Sequence, residues 1–259
     1  MSSFNNALKD IKLKNLAVFI VGTYIILFVL SKFSSIISTN WVYVIVIGYF
    51  IFILRGHLQS LGSDAGNVFS KIGLKYILLI VFLNIFFSYG MLYLSGAIID
   101  TFPFLEFLVS FSVPSMSLIN YLPSVAGFVS TVIISPISEE LIFRGVFLNR
   151  LRLYVPTVFA IFISSLLFGA LHSFGNMTSA VVFAVCMAIL YLKTENICVP
   201  IFAHFLNNLF AETIKFIDVN NILFTNGLVV GIVSVLAVIS AILLIVSIVG
   251  ELKKLNINE

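Results

Sequence analysis

The chain has 259 residues, of which 61% are hydrophobic and only 10% are charged, and its formal net charge is +3. Soluble domains carry roughly 25% charged residues, so this composition excludes an ordinary soluble globular domain and indicates a polytopic membrane protein. The small positive excess follows from basic residues in connecting loops, which gives no indication of a nucleic-acid-binding surface.

Apolar runs of helical length divide the chain into predicted membrane spans. A helix needs about 20 residues to cross about 30 Å of hydrocarbon. Eight suitable runs occur, at residues 15–31, 36–54, 76–98, 122–148, 155–172, 177–193, 197–215 and 227–249. The intervening stretches 55–75 and 100–121 are predicted to be loops. We therefore predict one integral membrane domain over residues 1–259, an all-α bundle of about eight transmembrane helices.

The basic residues predict the orientation of these spans. Cytoplasmic loops of membrane proteins are enriched in Lys and Arg. With a cytoplasmic N-terminus, eight spans place 12 of the 14 basic residues inside and leave Lys32 and Lys215 outside. The first run is followed by a second without a small-residue cleavage site, so no cleavable signal peptide is expected. We predict a multi-pass protein of the bacterial cytoplasmic membrane with both termini in the cytoplasm.

The fourth run contains the stretch ISPISEELIFRG, residues 134–145, which places three charges in a predicted span. Each ionisable residue in a span costs about 2.5 to 3.5 kcal/mol on insertion scales, so such residues normally face the bundle interior and indicate function. Glu140 and Arg144 are four residues apart on one helix face and can pair. Glu139 lies about 100° further around the helix and is left available.

Two later runs carry polar residues at helical spacing. In FGALH, Phe168 and His172 share a helix face near the outer end of the fifth run. In HFLNN, His204 shares a face with Asn208, or less directly with Asn207. Glu212, one turn further along the seventh run, is a weaker candidate.

Each of these polar groups also has a structural interpretation. An Asn or His in a span commonly joins helices through hydrogen bonds, and a buried Glu-Arg pair can act as a clamp. However, two of the three histidines of the chain lie in predicted spans, each with a partner at helical spacing. Together with the spare carboxylate of Glu139, this pattern favours one convergent polar site.

On these residues the sequence resembles the CPBP family of membrane peptidases, which is named for CAAX proteases and bacteriocin-processing enzymes and is also called Abi. The resemblance covers about residues 120–212 and depends on three motifs in order: Glu-Glu-x-x-x-Arg at Glu139, Glu140 and Arg144, Phe-x-x-x-His at Phe168 and His172, and His-x-x-x-Asn at His204 and Asn208. It implies an eight-helix bundle with a polar cavity inside the membrane and hydrolysis of peptide bonds there. The resemblance also favours Asn208 over Asn207 as the asparagine of the site.

These residues suggest a mechanism for amide hydrolysis. Glu139 is the predicted general base, and His172 is predicted to orient the same water. His204 and Asn208 are predicted to donate hydrogen bonds to the oxyanion, with Glu140 and Arg144 bracing the helix. No cofactor is needed in this scheme. The alternative is a zinc ion held by Glu139, His172 and His204, although the sequence lacks a His-Glu-x-x-His pattern.

Other classes of function stay open at this point. The same polar groups fit a non-catalytic membrane protein, such as a bacteriocin self-immunity factor, a scaffold or a transporter. A serine or cysteine protease is less favoured, because no Gly-x-Ser-Gly stretch occurs and neither Cys186 nor Cys198 has an evident base. The expected partners are a peptide or membrane-protein substrate and the lipid bilayer, without nucleic acid.

Overall fold

The computed structural model describes residues 2–34, 37–105 and 125–257, and every regular element in these ranges is helical. Two short 3₁₀ helices cover Arg55–His57 and Pro103–Leu105. The longer helices, in chain order, are α1 (Ser3–Asp10), α2 (Leu13–Ser31), α3 (Trp41–Ile53), α4 (Leu58–Gly66), α5 (Leu74–Thr101), α6 (Val125–Leu151), α7 (Thr157–Ala170), α8 (Phe174–Thr194), α9 (Cys198–Ile217), α10 (Ile222–Thr225) and α11 (Gly227–Ile257). The predicted all-α class is confirmed.

The helices form a polytopic membrane bundle. Among the described residues, five helices are long and apolar enough to cross a membrane, namely α2, α5, α6, α8 and α11. The number is six if α3 and the helical segment Arg55–Gly66, which are bent by 68° relative to each other, form one span. The shorter α7 has 14 residues and is about 21 Å long at 1.5 Å per residue. The 20 residues of α9 include the polar HFLNN stretch.

The N-terminal end of the bundle differs from the sequence-based expectation. The predicted loop 55–75 is helical from Arg55 to Gly66. Asp64 in this segment accepts a hydrogen bond from Asn5 Nδ2 at 2.7 Å. Asn5 Oδ1 in turn accepts the backbone N–H of Ile197 at 2.9 Å, so α1 is tied to the start of α9. Glu106 and Pro114 of the second predicted loop lie outside the described residues.

The outer surface of the bundle is apolar, as a lipid-facing surface requires. Large hydrophobic side chains are exposed along α2, α3, α7 and α11. Inside the bundle, small residues allow helices to approach closely. A Cβ added to Gly90 of α5 would lie 2.4 Å from the Cβ of Ala237 of α11, so this crossing depends on glycine. Cys186 and Cys198 are both free thiols.

Gly169 sets the approach of α7 to α8 next to the predicted site. A Cβ at Gly169 would lie 2.3 Å from Val181 Cγ2 and 3.0 Å from the carbonyl oxygen of Met177. Because the second atom belongs to the backbone, it cannot move aside cheaply. We expect Gly169→Ala to destabilise the fold by about 1 to 3 kcal/mol through overpacking.

Thermal unfolding in detergent measures this effect, and Gly96→Ala is the matched control. Gly96 also lies in a helix, but nothing stands within 4 Å of the position of its Cβ. Its replacement should leave the melting temperature unchanged or raise it slightly, because Ala favours the helix. Equal melting temperatures for the two variants would contradict the steric argument.

Candidate active site

The helix α6 is irregular where it carries the charged stretch. Two π-helical segments, Ser130–Ile134 and Leu141–Leu148, flank a short α-helical segment, Ser135–Glu140. Such π turns often occur at functional sites, because they change the direction of side chains and free backbone groups. The irregularity therefore falls on both sides of the paired glutamates.

The predicted pair of Glu140 and Arg144 is confirmed. Arg144 Nη1 lies 3.1 Å from Glu140 Oε1, and the two side chains are only 1% and 0% exposed. Arg144 also donates from Nη2 to the carbonyl of Ala184 on α8 at 3.0 Å. Its guanidinium lies over the ring of Phe168, with Cζ 4.7 Å from the centroid. The pair therefore joins α6 to α7 and α8.

Glu140 also holds His204, which helical spacing does not predict. His204 Nδ1 lies 2.8 Å from the same Oε1 atom that Arg144 contacts. A carboxylate paired with arginine can only accept a hydrogen bond, so Nδ1 carries the proton and donates. The role predicted for Glu140 is thus incomplete, because Glu140 orients a residue of the candidate site in addition to bracing α6.

Glu139 lies on the other side of His204. Its Oε2 atom is 3.9 Å from His204 Nε2, and its side chain is 15% exposed, unlike that of Glu140. Glu139 Oε1 accepts a hydrogen bond from Ser135 Oγ, one turn earlier in α6. Glu139 is therefore not free of contacts, but it is the less enclosed of the two carboxylates. His204 lies with one ring nitrogen toward each glutamate.

His172 follows the end of α7, in the turn that leads to α8. Its ring packs against Phe168 with centroids 4.7 Å apart, and its Nδ1 lies 3.0 Å from the carbonyl oxygen of Phe168. The contact predicted from their spacing is therefore present. His172 is close enough to Glu139 and His204 to interact with both electrostatically. The structure thus brings together the three ionisable residues that the sequence places on separate runs.

Asn208 approaches α6 from α9, one turn beyond His204. Its Nδ2 donates to the carbonyl oxygen of Thr131 at 2.9 Å, and its Oδ1 accepts from Asn207 Nδ2 at 3.2 Å. The two asparagines that the sequence offers as alternatives are therefore bonded to each other. Asn208 retains one N–H for another acceptor. Glu212, the weaker candidate, pairs instead with Lys215 at 2.7 Å.

Two residues around the site were missed by the sequence reasoning. Ser135 contacts Glu139, as described above, and Asn84 of α5 donates from Nδ2 to Asn207 Oδ1 at 2.9 Å. Asn84 is only 4% exposed. The sequence does contain an indication of this contact. Asn84 lies in the middle of the apolar run 76–98, and an asparagine in a span normally requires a partner on another helix.

The zinc alternative requires Glu139, His172 and His204 to face one ion. Among the residues that the structure describes, no three His, Cys, Asp or Glu side chains are placed to hold a metal ion together. His204 uses Nδ1 for Glu140 and keeps Nε2 available, an arrangement that zinc-bound histidines also show. The metal-free scheme is therefore carried forward as a proposal with its own test.

Comparison with known proteins agrees with this grouping of motifs. Residues 121–210 match the family model described as type II CAAX prenyl endopeptidase Rce1-like. The chain carries a domain of this family. The resemblance to the CPBP membrane peptidases is thereby confirmed, and all of the candidate residues from Glu139 to Asn208 lie inside the matched segment.

One curated relative and the solved structures complete the comparison. The chain is 36% identical over 92 residues to a Bacillus subtilis (strain 168) protein named "Putative membrane peptidase YdiL". The match spans 35% of this chain and 38% of the relative, so it covers well under half of either protein. No solved structure matches the chain significantly. Helices α1 to α5 lie outside the segment that matches the family model, residues 121–210.

Proposed function

We propose that the protein is an intramembrane endopeptidase that hydrolyses a peptide bond in a peptide or membrane-associated protein. The observation that supports this most directly is the position of His204 between two carboxylates, at 2.8 Å from Glu140 and 3.9 Å from Glu139. The Rce1-like domain supports the same reaction class. A polar cluster of this kind inside an apolar bundle is costly and is expected to serve a function.

The proposed reaction begins at Glu139. Its carboxylate takes a proton from a water that His172 orients, and the resulting hydroxide attacks the carbonyl carbon of the peptide bond. The carbonyl oxygen becomes an oxyanion as the C–O bond forms. The protonated Glu139 then gives its proton to the leaving nitrogen, the C–N bond breaks, and a carboxylic acid and an amine are released. Every proton needed comes from the water.

Two groups are proposed to stabilise the oxyanion. Since Nδ1 of His204 donates to Glu140, Nε2 is the nitrogen that is available to the substrate. As an oxyanion donor, Nε2 must carry a proton of its own while Nδ1 donates to Glu140. The second N–H of Asn208 is the other proposed donor. Removing one such donor typically costs about 10²- to 10³-fold in kcat.

We also propose eight membrane crossings with both termini in the cytoplasm of a bacterial cell. Arg150 at the end of α6 donates to the carbonyl of Ile11 at 2.8 Å, and Lys193 at the end of α8 pairs with Glu251 of α11 at 2.8 Å. Because Asn149 of α6 also donates to Tyr191 Oη of α8 at 2.9 Å, the start of α2 and the ends of α6, α8 and α11 share one end of the bundle. This end carries basic residues, as the cytoplasmic side should.

The class of function is tested in proteoliposomes with a mixture of peptides analysed by mass spectrometry. We expect the wild-type protein to generate defined fragments, and a variant with Glu139→Gln, His172→Ala and His204→Ala together to generate none. Fragments from both proteins would indicate a contaminating protease and overturn the proposal. Absence of cleavage with every peptide and membrane-protein substrate would favour the non-catalytic alternatives, an immunity factor, scaffold or transporter.

The same preparation tests the proposal of a metal-free reaction. We expect purified, active protein to contain substoichiometric zinc by elemental analysis and to keep its activity after dialysis against a chelator. One zinc per active molecule, lost together with activity on chelation, would contradict the metal-free scheme.

A further inference from the structure

A chain of side-chain amides connects α5 to Asn208 inside the bundle. Asn84 Nδ2 donates to Asn207 Oδ1 at 2.9 Å, Asn207 Nδ2 donates to Asn208 Oδ1 at 3.2 Å, and Asn208 Nδ2 donates to the carbonyl of Thr131 at 2.9 Å. Each of the three amides donates with its nitrogen, and the oxygens of Asn207 and Asn208 accept. We call these three asparagines the amide relay.

The direction of the amide relay is fixed at its Thr131 end. A backbone carbonyl can only accept, so Asn208 must turn its nitrogen toward Thr131 and its oxygen toward Asn207. The same reasoning then orients Asn207 and Asn84 in turn. Reversal of any one amide would place two oxygens or two N–H groups against each other, which is unfavourable in a buried site.

Pro136 leaves the Thr131 carbonyl available for this contact. In a regular α-helix the N–H of Ser135 would donate to Thr131, but here it donates to Ser130. In the π-helical pattern the next donor would be residue 136, which is a buried proline without an N–H. The carbonyl of Thr131 therefore has no donor from either pattern, and Asn208 supplies one.

We propose that Asn84 is a positioning residue for the peptidase reaction, acting on Asn208 through Asn207. This inference extends the proposed function and depends on it. Asn84 is buried on a helix outside the family domain, and it has no contact of its own with Glu139, His172 or His204 among the described hydrogen bonds. Its effect is to hold the second N–H of Asn208 in one direction, which is what a preorganised oxyanion donor needs.

The test is a double-mutant cycle with Asn84→Leu and Asn208→Ala, measured as kcat and KM in proteoliposomes. Asn84 Oδ1 has no partner among the described atoms, so leucine removes an unsatisfied acceptor together with the donor, and the variant should fold. Asn84→Leu is expected to lower kcat about tenfold with KM unchanged, since small misplacements near the reaction have effects of this order. In the Asn208→Ala background the same change should alter kcat less than about twofold.

Pro136→Ala provides an independent variant at the other end of the relay. It returns an N–H that competes with Asn208 for the Thr131 carbonyl, while removing a proline from a helix should preserve or raise stability. We expect lower kcat without a lower melting temperature, and again no further loss in the Asn208→Ala background. Ser240→Ala, which changes a buried polar residue of α11 outside the relay, should leave kcat unchanged.

Several outcomes would overturn the amide relay as a positioning device. A wild-type kcat for Asn84→Leu would be one such outcome. Another would be an equal loss of kcat on Asn84→Leu in the wild-type and Asn208→Ala backgrounds. If the wild-type protein cleaves no substrate, the proposed peptidase function fails separately. In that case the melting temperatures of Asn84→Leu, Asn208→Ala and the double variant test the relay. If the relay exists, the shift of the double variant is smaller than the sum of the two single shifts. Additive shifts would refute it.

Discussion

Replacing Glu139 by Gln is expected to lower kcat by about 10²- to 10⁴-fold, the range that general acid–base catalysis supplies. The amide keeps the size of the side chain and can still accept from Ser135 Oγ, which contacts Glu139 Oε1. It cannot take a proton from water at an accessible pH. The fold should be preserved, because Glu139 does not share the buried ion pair of Glu140 and Arg144.

The matched control for this prediction is Glu212→Gln, measured as kcat with the same peptide and accompanied by melting temperatures. Glu212 has a similarly enclosed carboxylate, 14% exposed, but it pairs with the half-exposed Lys215 and takes no part in the proposed mechanism. Its replacement should leave kcat within about twofold of wild type, as for most surface changes. A Glu139→Gln variant with wild-type kcat would eliminate Glu139 as the base.

Local spacing was sufficient to predict part of the site. Glu140 and Arg144 pair across four residues, although α6 becomes π-helical from Leu141, because the contact begins in the α-helical segment before it. Phe168 and His172 meet for the same reason, even though α7 ends at Ala170 and His172 lies in the following turn. Contacts one turn apart survive such local changes of geometry.

Contacts between distant segments could not be predicted in this way. Glu140 and His204 are 64 residues apart, and nothing in the spacing indicates which glutamate faces the histidine. Asn84 depends on the packing of α5 against α9, and Thr131 depends on a π turn beside Pro136. The amphipathic α1 was missed because its eight residues are too few for a span and its apolar face becomes evident only against the bundle.

The second large effect is expected at Glu140, where Glu140→Ala should destabilise the fold by about 3 to 5 kcal/mol, the usual cost of leaving a buried charge unpaired. Among the described contacts, Arg144 would retain the Ala184 carbonyl at 3.0 Å, the face of Phe168 and a more distant interaction with Glu139. His204 would lose the acceptor of its Nδ1 proton. We therefore expect a lower melting temperature and loss of cleavage together.

A second variant distinguishes the effect of an unpaired buried charge on stability from the effect of Glu140 on catalysis. The double replacement Glu140→Leu with Arg144→Met removes both charges, and buried pairs replaced by apolar residues often give stable proteins. Glu140 Oε2 and Arg144 Nε have no partners among the described atoms, so little hydrogen bonding is lost besides the pair itself and the contacts to His204 and Ala184. The double variant should recover most of the melting temperature but remain inactive, since His204 is still unoriented. Recovery of cleavage along with stability would show that Glu140 serves the fold alone, whereas a wild-type melting temperature for Glu140→Ala would show that Arg144 does not need it.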